Sequence, residues 1–294
     1  MTIVYALLAA LGNALNVVTQ HVASIASPKK ATGWRLVGYL FRSPLWLFGW
    51  IALAAAFLFQ ALALHAGQMS VVQPLLVTEL VFALVLRRTW IRQPIRPATW
   101  WAAAVTCASL GVFLATAEPR GGNPVPASHA WITAGVATVG AAVALMLLGL
   151  RGPPARRAAL LAIASGIMWA LVATFIKTTT ETLSQFGAGG MFTHWPVYAL
   201  AFSGAAAETL QQATLHVGPL SVSQPLLVIV DPVVSIALSV WIFGEYFTTN
   251  PLLLTVSSAA FAAMCVAVSV LTRTAPATMS APARAPAQAP SQAG

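Results

Sequence analysis

The sequence predicts an all-α polytopic membrane protein of about nine helices, arranged as two four-helix repeats of opposite topology around a lone middle helix. Three observations predict it. Hydrophobic residues fill 59% of the 294 positions and charged residues 7%, with a mean hydropathy of +0.81; a soluble domain carries about 25% charged residues. Residues 64–77, LHAGQMSVVQPLLV, recur as LHVGPLSVSQPLLV at 215–228, identical at ten of fourteen positions with a constant offset of 151. The basic residues, finally, fall almost entirely between alternate apolar runs, which gives the chain a sidedness.

Apolar runs long enough to cross about 30 Å of hydrocarbon as helix lie at 3–25, 45–65, 69–88, 98–117, 130–150, 157–178, 195–214, 219–243 and 251–272. The N-terminal MTIVYALLAALGN lacks a cationic region, so the first run is expected to be retained as a span and not cleaved as a signal peptide. A basic connection, SPKKATGWRLVGYLFRSP, follows it; EPRGGNPVPASH (118–129) has the Pro and Gly content of a solvated turn. The organisation is then a first repeat at 1–117, a loop and middle helix at 118–156, a second repeat at 157–272, and an Ala/Pro/Ser-rich tail at 273–294 expected to be disordered.

Connections after odd-numbered spans, with the tail, carry 13 of the 15 basic residues; Arg120 and Lys177 are the exceptions. The positive-inside rule therefore predicts an outside N-terminus and a cytoplasmic C-terminus in the cell membrane. The offset of 151 maps spans one to four onto six to nine, and the single crossing between them inverts the second copy. Inverted repeats are the architecture of alternating-access carriers. Each copy carries a Gln-Pro step, Gln73-Pro74 and Gln224-Pro225, and the inversion puts the two steps at opposite faces.

The polar residues inside the spans carry the chemistry. Glu79 and Asp231 fall near the middle of spans three and eight, and Glu208 lies in span seven. A charge at helix centre costs about 2.5–3.5 kcal/mol on insertion scales, so such groups face a protein-lined site. Asn13, Asn16 and Gln20 form one stripe of span one. Gln60 and Gln211 are repeat mates, as are Gln73 and Gln224. These oxygens suit a hard cation or the ammonium of a small metabolite, and they do not by themselves name a metal. Pro74, Pro225 and Pro232 each free a carbonyl one turn earlier, a hinge or a static kink. His65 and His216 are mates at span ends and expected to pack at the interface, while Lys177, four residues before Glu181, is expected to snorkel there.

Other classes find little support. No GxxxxGK[ST] loop, HExxH or GxSxG motif occurs, so neither ATP drive nor catalysis is expected, and no cofactor. The net charge of +9 is spread over connections, which argues against nucleic acid. Cys107 and Cys265, both in apolar runs, are too few for a disulfide framework.

The run GYL (38–40) with PLWLFGW (44–50), the VQP at 72–74, and VSQP (222–225) with FGE (243–245) resemble the drug/metabolite transporter superfamily (EamA-like), and within it the branch of NIPA-type magnesium transporters. Nine spans with a lone middle helix are similar to that branch. The resemblance implies membrane transport, with magnesium as a candidate substrate. One departure stands out: where the branch carries Gly-Glu and then Asn in span two, this chain reads AAAFLFQ, with Phe57 at the Glu position and Gln60 at the Asn; the repeat mate of Phe57 is Glu208. The expectation is thus a secondary carrier for a small metabolite or cation, with NIPA-like magnesium transport as one alternative and a non-transporting membrane subunit or sensor as another. Its expected partners are the lipid bilayer, that substrate and, as a further candidate, a second copy of the chain.

Overall fold

Hydrocarbon leaves helix as the way for a single segment to satisfy its own backbone, and helix is nearly all that forms. The computed structural model describes residues 1–25, 43–123, 126–217 and 220–274. The connection bearing Lys29, Lys30, Arg35 and Arg42, the GYL run, Gly218 and the tail from 275 lie outside the described residues, as does the side chain of His216. The helices are α1 (Thr2–Ile25), α2 (Pro44–Ala66), α3 (Met69–Leu76), α4 (Glu79–Thr89), α5 (Pro97–Ala117), α6 (Ser128–Leu148), α7 (Pro154–Met191), α8 (Trp195–Val217), α9 (Leu220–Phe243) and α10 (Pro251–Thr274). Proline opens α2, α5, α7 and α10, where its missing N–H costs nothing and its fixed φ suits the first turn.

Among the described residues eight stretches are helical, long and apolar enough to cross a membrane, α3 and α4 counting together. The helix α8 has the length, but Glu208, Gln211 and Gln212 crowd its second half and it is not among the eight. The protein is a multi-pass, all-α membrane protein. Two expectations on span limits need correction. The third span is not one helix: it breaks after Leu76 and resumes at Glu79. The sixth does not stop near 178 but runs as α7 to Met191, bent at Gly187, whose φ of 69° no regular helix allows.

The helices pack in pairs. The helix α1 packs on α2 and α7 on α8; α1 also packs on α3 and α4, and α7 on α9; α5 and α10 lie side by side. The lone α6 packs chiefly on α7, which is the most buried span. Close approach rests on small residues. A Cβ added at Gly12 would sit 2.9 Å from the Ala56 Cβ, and one at Gly166 would sit 2.7 Å from the Val230 Cβ and 3.3 Å from the Asp231 backbone nitrogen. Small residues at such crossings let backbones close up where no hydrophobic effect drives helices together.

Gly166→Leu is therefore expected to force α7 off α9. Overpacking typically costs about 1–3 kcal/mol, and the lowered thermal midpoint of the purified variant in detergent checks it; an unchanged midpoint would mean the two helices are not in contact.

Candidate functional site

The midpoints of Thr2–Ala23, Met69–Thr89 and Ser221–Phe243 fall at 12.5, 79 and 232. Asn13, Glu79 and Asp231 therefore occupy one level, the centre of the apolar slab. The fold also brings them together. The Asn13 side chain lies beside the Glu79 carboxyl, which is within electrostatic reach of Asp231. One turn further along α9, Ser235 Oγ donates to Asp231 Oδ1 at 3.0 Å. Asn13, Glu79 and Asp231 are each half-buried, while Ser235 is fully buried.

The break before Glu79 shows in the backbone hydrogen bonds. Pro74 has no N–H to offer Ser70, and the chain tightens beyond it: Val77 N–H donates to Pro74 O, Thr78 N–H to Leu75 O and Leu80 N–H to Val77 O, all three-residue steps at 3.0–3.3 Å. Thr78 Oγ1 adds a 2.7 Å bond to Leu75 O. A stretch of 3₁₀ geometry inside a helix often marks a hinge, and this one delivers Glu79 into the first turn of α4. No such break divides α9, although it contains both Pro225 and Pro232.

The remaining sequence candidates scatter. Gln73 is buried and its Nε2 has no protein partner; Ser165 Oγ and Ser223 Oγ share that condition. Gln224, its mate, is half-buried. Gln20 Nε2 donates to Asn16 Oδ1 at 2.7 Å, so those two amides satisfy each other. Gln211 Oε1 accepts from Trp169 Nε1 at 2.7 Å, and Gln60 is half-buried on α2. Glu208 stands on the exposed face of α8, bonded to Gln212 Nε2 at 2.7 Å, and its mate Phe57 is likewise exposed. Neither faces the Glu79–Asp231 level. The two cysteines are free, and among the described residues no three His, Cys, Asp or Glu side chains gather as a metal-binding group.

Lys177 needs correction. It does not snorkel beside Glu181: its Nζ, on a side chain only 14% exposed, sits 2.8 Å from Glu245 Oε1 and 3.2 Å from Gly67 O, with the Phe243 ring centroid 4.9 Å away. Glu181 instead accepts from Gln185 at 2.8 Å and lies 3.8 Å from His65 Nδ1. Glu245, seen in the sequence only within FGE, is fully buried and satisfied. Met69 N–H (2.8 Å), Ser70 N–H (3.1 Å) and Ser70 Oγ (2.6 Å) all donate to its carboxylate. The two backbone N–H groups are orphan donors of the first turn of α3, and an anion at a helix N-terminus also meets the positive end of its dipole.

Position explains how the acid arrives there. Gly244 takes φ +65°, the left-handed turn that ends helices and favours glycine. The chain then folds back as a two-residue strand β2 (Glu245–Tyr246) paired antiparallel with β1 (Arg120–Gly121). Asn123 N–H to Phe243 O and Thr248 N–H to Ala117 O fasten the same corner. Burial works against a charged Glu245, but the Lys177 ammonium and the three donors of α3 outweigh it and hold the carboxyl below its ordinary value.

A cavity of about 590 Å³ opens elsewhere, among Trp131, Phe175, Glu181, Phe186 and Trp195; neither Glu79 nor Asp231 lines it.

The structure thus defines a class: a multi-pass membrane protein holding a polar cluster at mid-depth and a buried ion pair at one end of the bundle. No family model and no solved structure matches the chain. It is similar to an uncharacterized protein of Corynebacterium glutamicum, 29% identical over 252 residues, which span 84% of this chain and 86% of that one.

Because Glu245 is held below its ordinary value, its contribution is fully present above the unfolded value near 4.5 and fades as pH falls through the depressed folded value. Glu245→Gln is therefore expected to melt below wild type at pH 7, by roughly 3 kcal/mol for a broken buried pair. The gap should hold down to about pH 5 and shrink in stronger acid, as thermal melts across pH will read; a gap that widens in acid would contradict the ion pair.

Proposed function

We propose that this chain is a secondary carrier of the cell membrane that moves a small positively charged metabolite or cation by alternating access. In this proposal α8 crosses the membrane as well, which brings the spans to nine, and α6 inverts the second repeat against the first. The N-terminus is outside, and so is the end that carries Glu245. The observation that carries it is the meeting of Asn13, Glu79 and Asp231, from three helices of two repeats, at the centre of the slab. Two carboxylates at that depth are costly unless they serve a ligand or a proton. Gln73 Nε2, buried without a protein partner on the helix that leads into Glu79, adds a donor with the same need.

The resemblance to the drug/metabolite transporters supports the class. Magnesium is the variant drawn from the NIPA-like branch, and two carboxylates are enough for an ion that keeps several of its waters. An amine or other organic cation is the broader alternative, and a non-transporting subunit or sensor is the competitor from another class.

The test is a thermal-shift screen of the purified chain against magnesium, amino acids and cationic drugs. A true ligand at about 100 times its Kd adds about 2.7 kcal/mol to the folded state. Asp231→Asn is expected to abolish that gain and flux into reconstituted vesicles, and Glu79→Gln to weaken both. Stabilisation by none of the ligands, or an Asp231→Asn variant with unchanged flux, would sink the proposal.

A further inference from the structure

Repeat mates share their sequence and differ in their surroundings. Ser70 is fully buried and Ser221 exposed; Gln73 is 2% exposed and Gln224 half-buried; Leu75 and Val77 are buried, while Leu226 and Val228 are half-buried. Within residues 70–77 every difference runs this way, whereas nearer the motif's start Ala66 is exposed and Val217 half-buried. Ten identical positions of fourteen cannot by themselves produce a one-sided difference. The cause lies in what meets each copy.

What meets the first copy is the Lys177–Glu245 pair. Glu245 binds the first turn of α3 through Met69 and Ser70, and Lys177 ties Glu245 to the Gly67 carbonyl, so α2, α3, α7 and β2 join at one point. Thr2 closes the same corner from α1: its Oγ1 donates to Ala66 O at 2.9 Å, and its methyl would collide with a Cβ added at Gly67. At the other end the corresponding sequence positions hold no charge: the mates of Lys177 and Glu245 are Ala26 and Pro94.

We infer that Lys177 and Glu245 are a gate, a latch that closes one end of the substrate pathway by clamping the N-terminus of α3. This rests on the carrier function proposed above and adds to it the residues that hold one state. The short helix α3 is the moving part. One end sits in the Glu245 carboxylate and the other runs into the 3₁₀ turn that presents Glu79. A displacement of Glu79 toward a ligand is thereby transmitted, along eight residues of rigid helix, to the latch.

Thiol accessibility tests this without a substrate, so it can fail separately from the transport proposal. In a background of Cys107→Ala and Cys265→Ala, Gln73→Cys reports one turn inside the latch and Gln224→Cys its mate. A membrane-impermeant maleimide is applied to sealed vesicles of either orientation. With the latch intact, Gln73→Cys should label slowly from the Glu245 side and Gln224→Cys readily from the other. Adding Glu245→Gln, or Lys177→Met, should raise Gln73→Cys labelling about tenfold or more and lower that of Gln224→Cys. Ser70→Ala, which removes one hydrogen bond and keeps the ion pair, should raise it less, and it serves alone if the charge variants elute as aggregates. An unchanged Gln73→Cys rate in any folded variant overturns the gate. Altered rates in a protein that no ligand stabilises would uphold the latch and reject the carrier.

Discussion

Hydrocarbon offers no hydrogen-bond partner, and the placement of nearly every polar group in this chain follows from that. Hydroxyls inside the helices turn back on their own backbone, as Thr106, Thr138 and Thr174 do four residues upstream at 2.7–2.9 Å. Amides pair within reach, Asn16 with Gln20 and Gln211 with Trp169. Among the described residues, acidic side chains meet buried polar partners at two places, the Asn13–Glu79–Asp231 level and the corner built around Glu245. The break in the third span joins the two, for its irregular backbone lies between them and is buried in protein rather than lipid.

Much of the architecture was legible because one solvent imposes it. Apolar runs near 20 residues mark helices with little ambiguity, and eight of the nine expected spans appear as helices long and apolar enough to cross a membrane. Span ends were less legible. A helix does not stop where the chain leaves the apolar slab, so α7 continues through Lys177 and Glu181 to Met191. The break at Val77–Thr78 was invisible for another reason. Pro74 and Pro225 sit in nearly identical words, MSV-x-QPLLV in the first copy and LSV-x-QPLLV in the second, yet only the first is followed by a break in its helix.

Of the candidate site, the mid-depth acids could be found because a central acid is rare in an apolar span and therefore conspicuous. Glu208 is equally conspicuous, yet it stands on the outer face of α8; an isolated acid reveals depth and says nothing of facing. The Lys177–Glu245 pair was illegible for the opposite reason. Each residue lies at a span end, where charges are ordinary, and 68 residues separate them. One signal was available: Lys177 and Arg120 are the only basic residues on the side poor in them, and Gly244 before Glu245 allows the chain to turn back there. A lone cation and an acid on the same sparse face are candidates for each other.

The asymmetry bears on energetics. In the proposed carrier, two inverted copies would exchange conformations most readily when the two states are nearly equal in energy, and a latch at one end would remove that equality. If breaking the buried pair costs about 3 kcal/mol, the state open at that end falls below roughly 1% of the population. A ligand reverses such a bias only by binding the rarer state more tightly by a similar amount. In the proposed carrier Glu79 and Asp231 are the groups able to supply it, and the α3 helix runs from that site to the latch. There the sequence difference between the two copies, Lys177 and Glu245 at the positions that align with Ala26 and Pro94, would act at the end of the pathway and not at its centre.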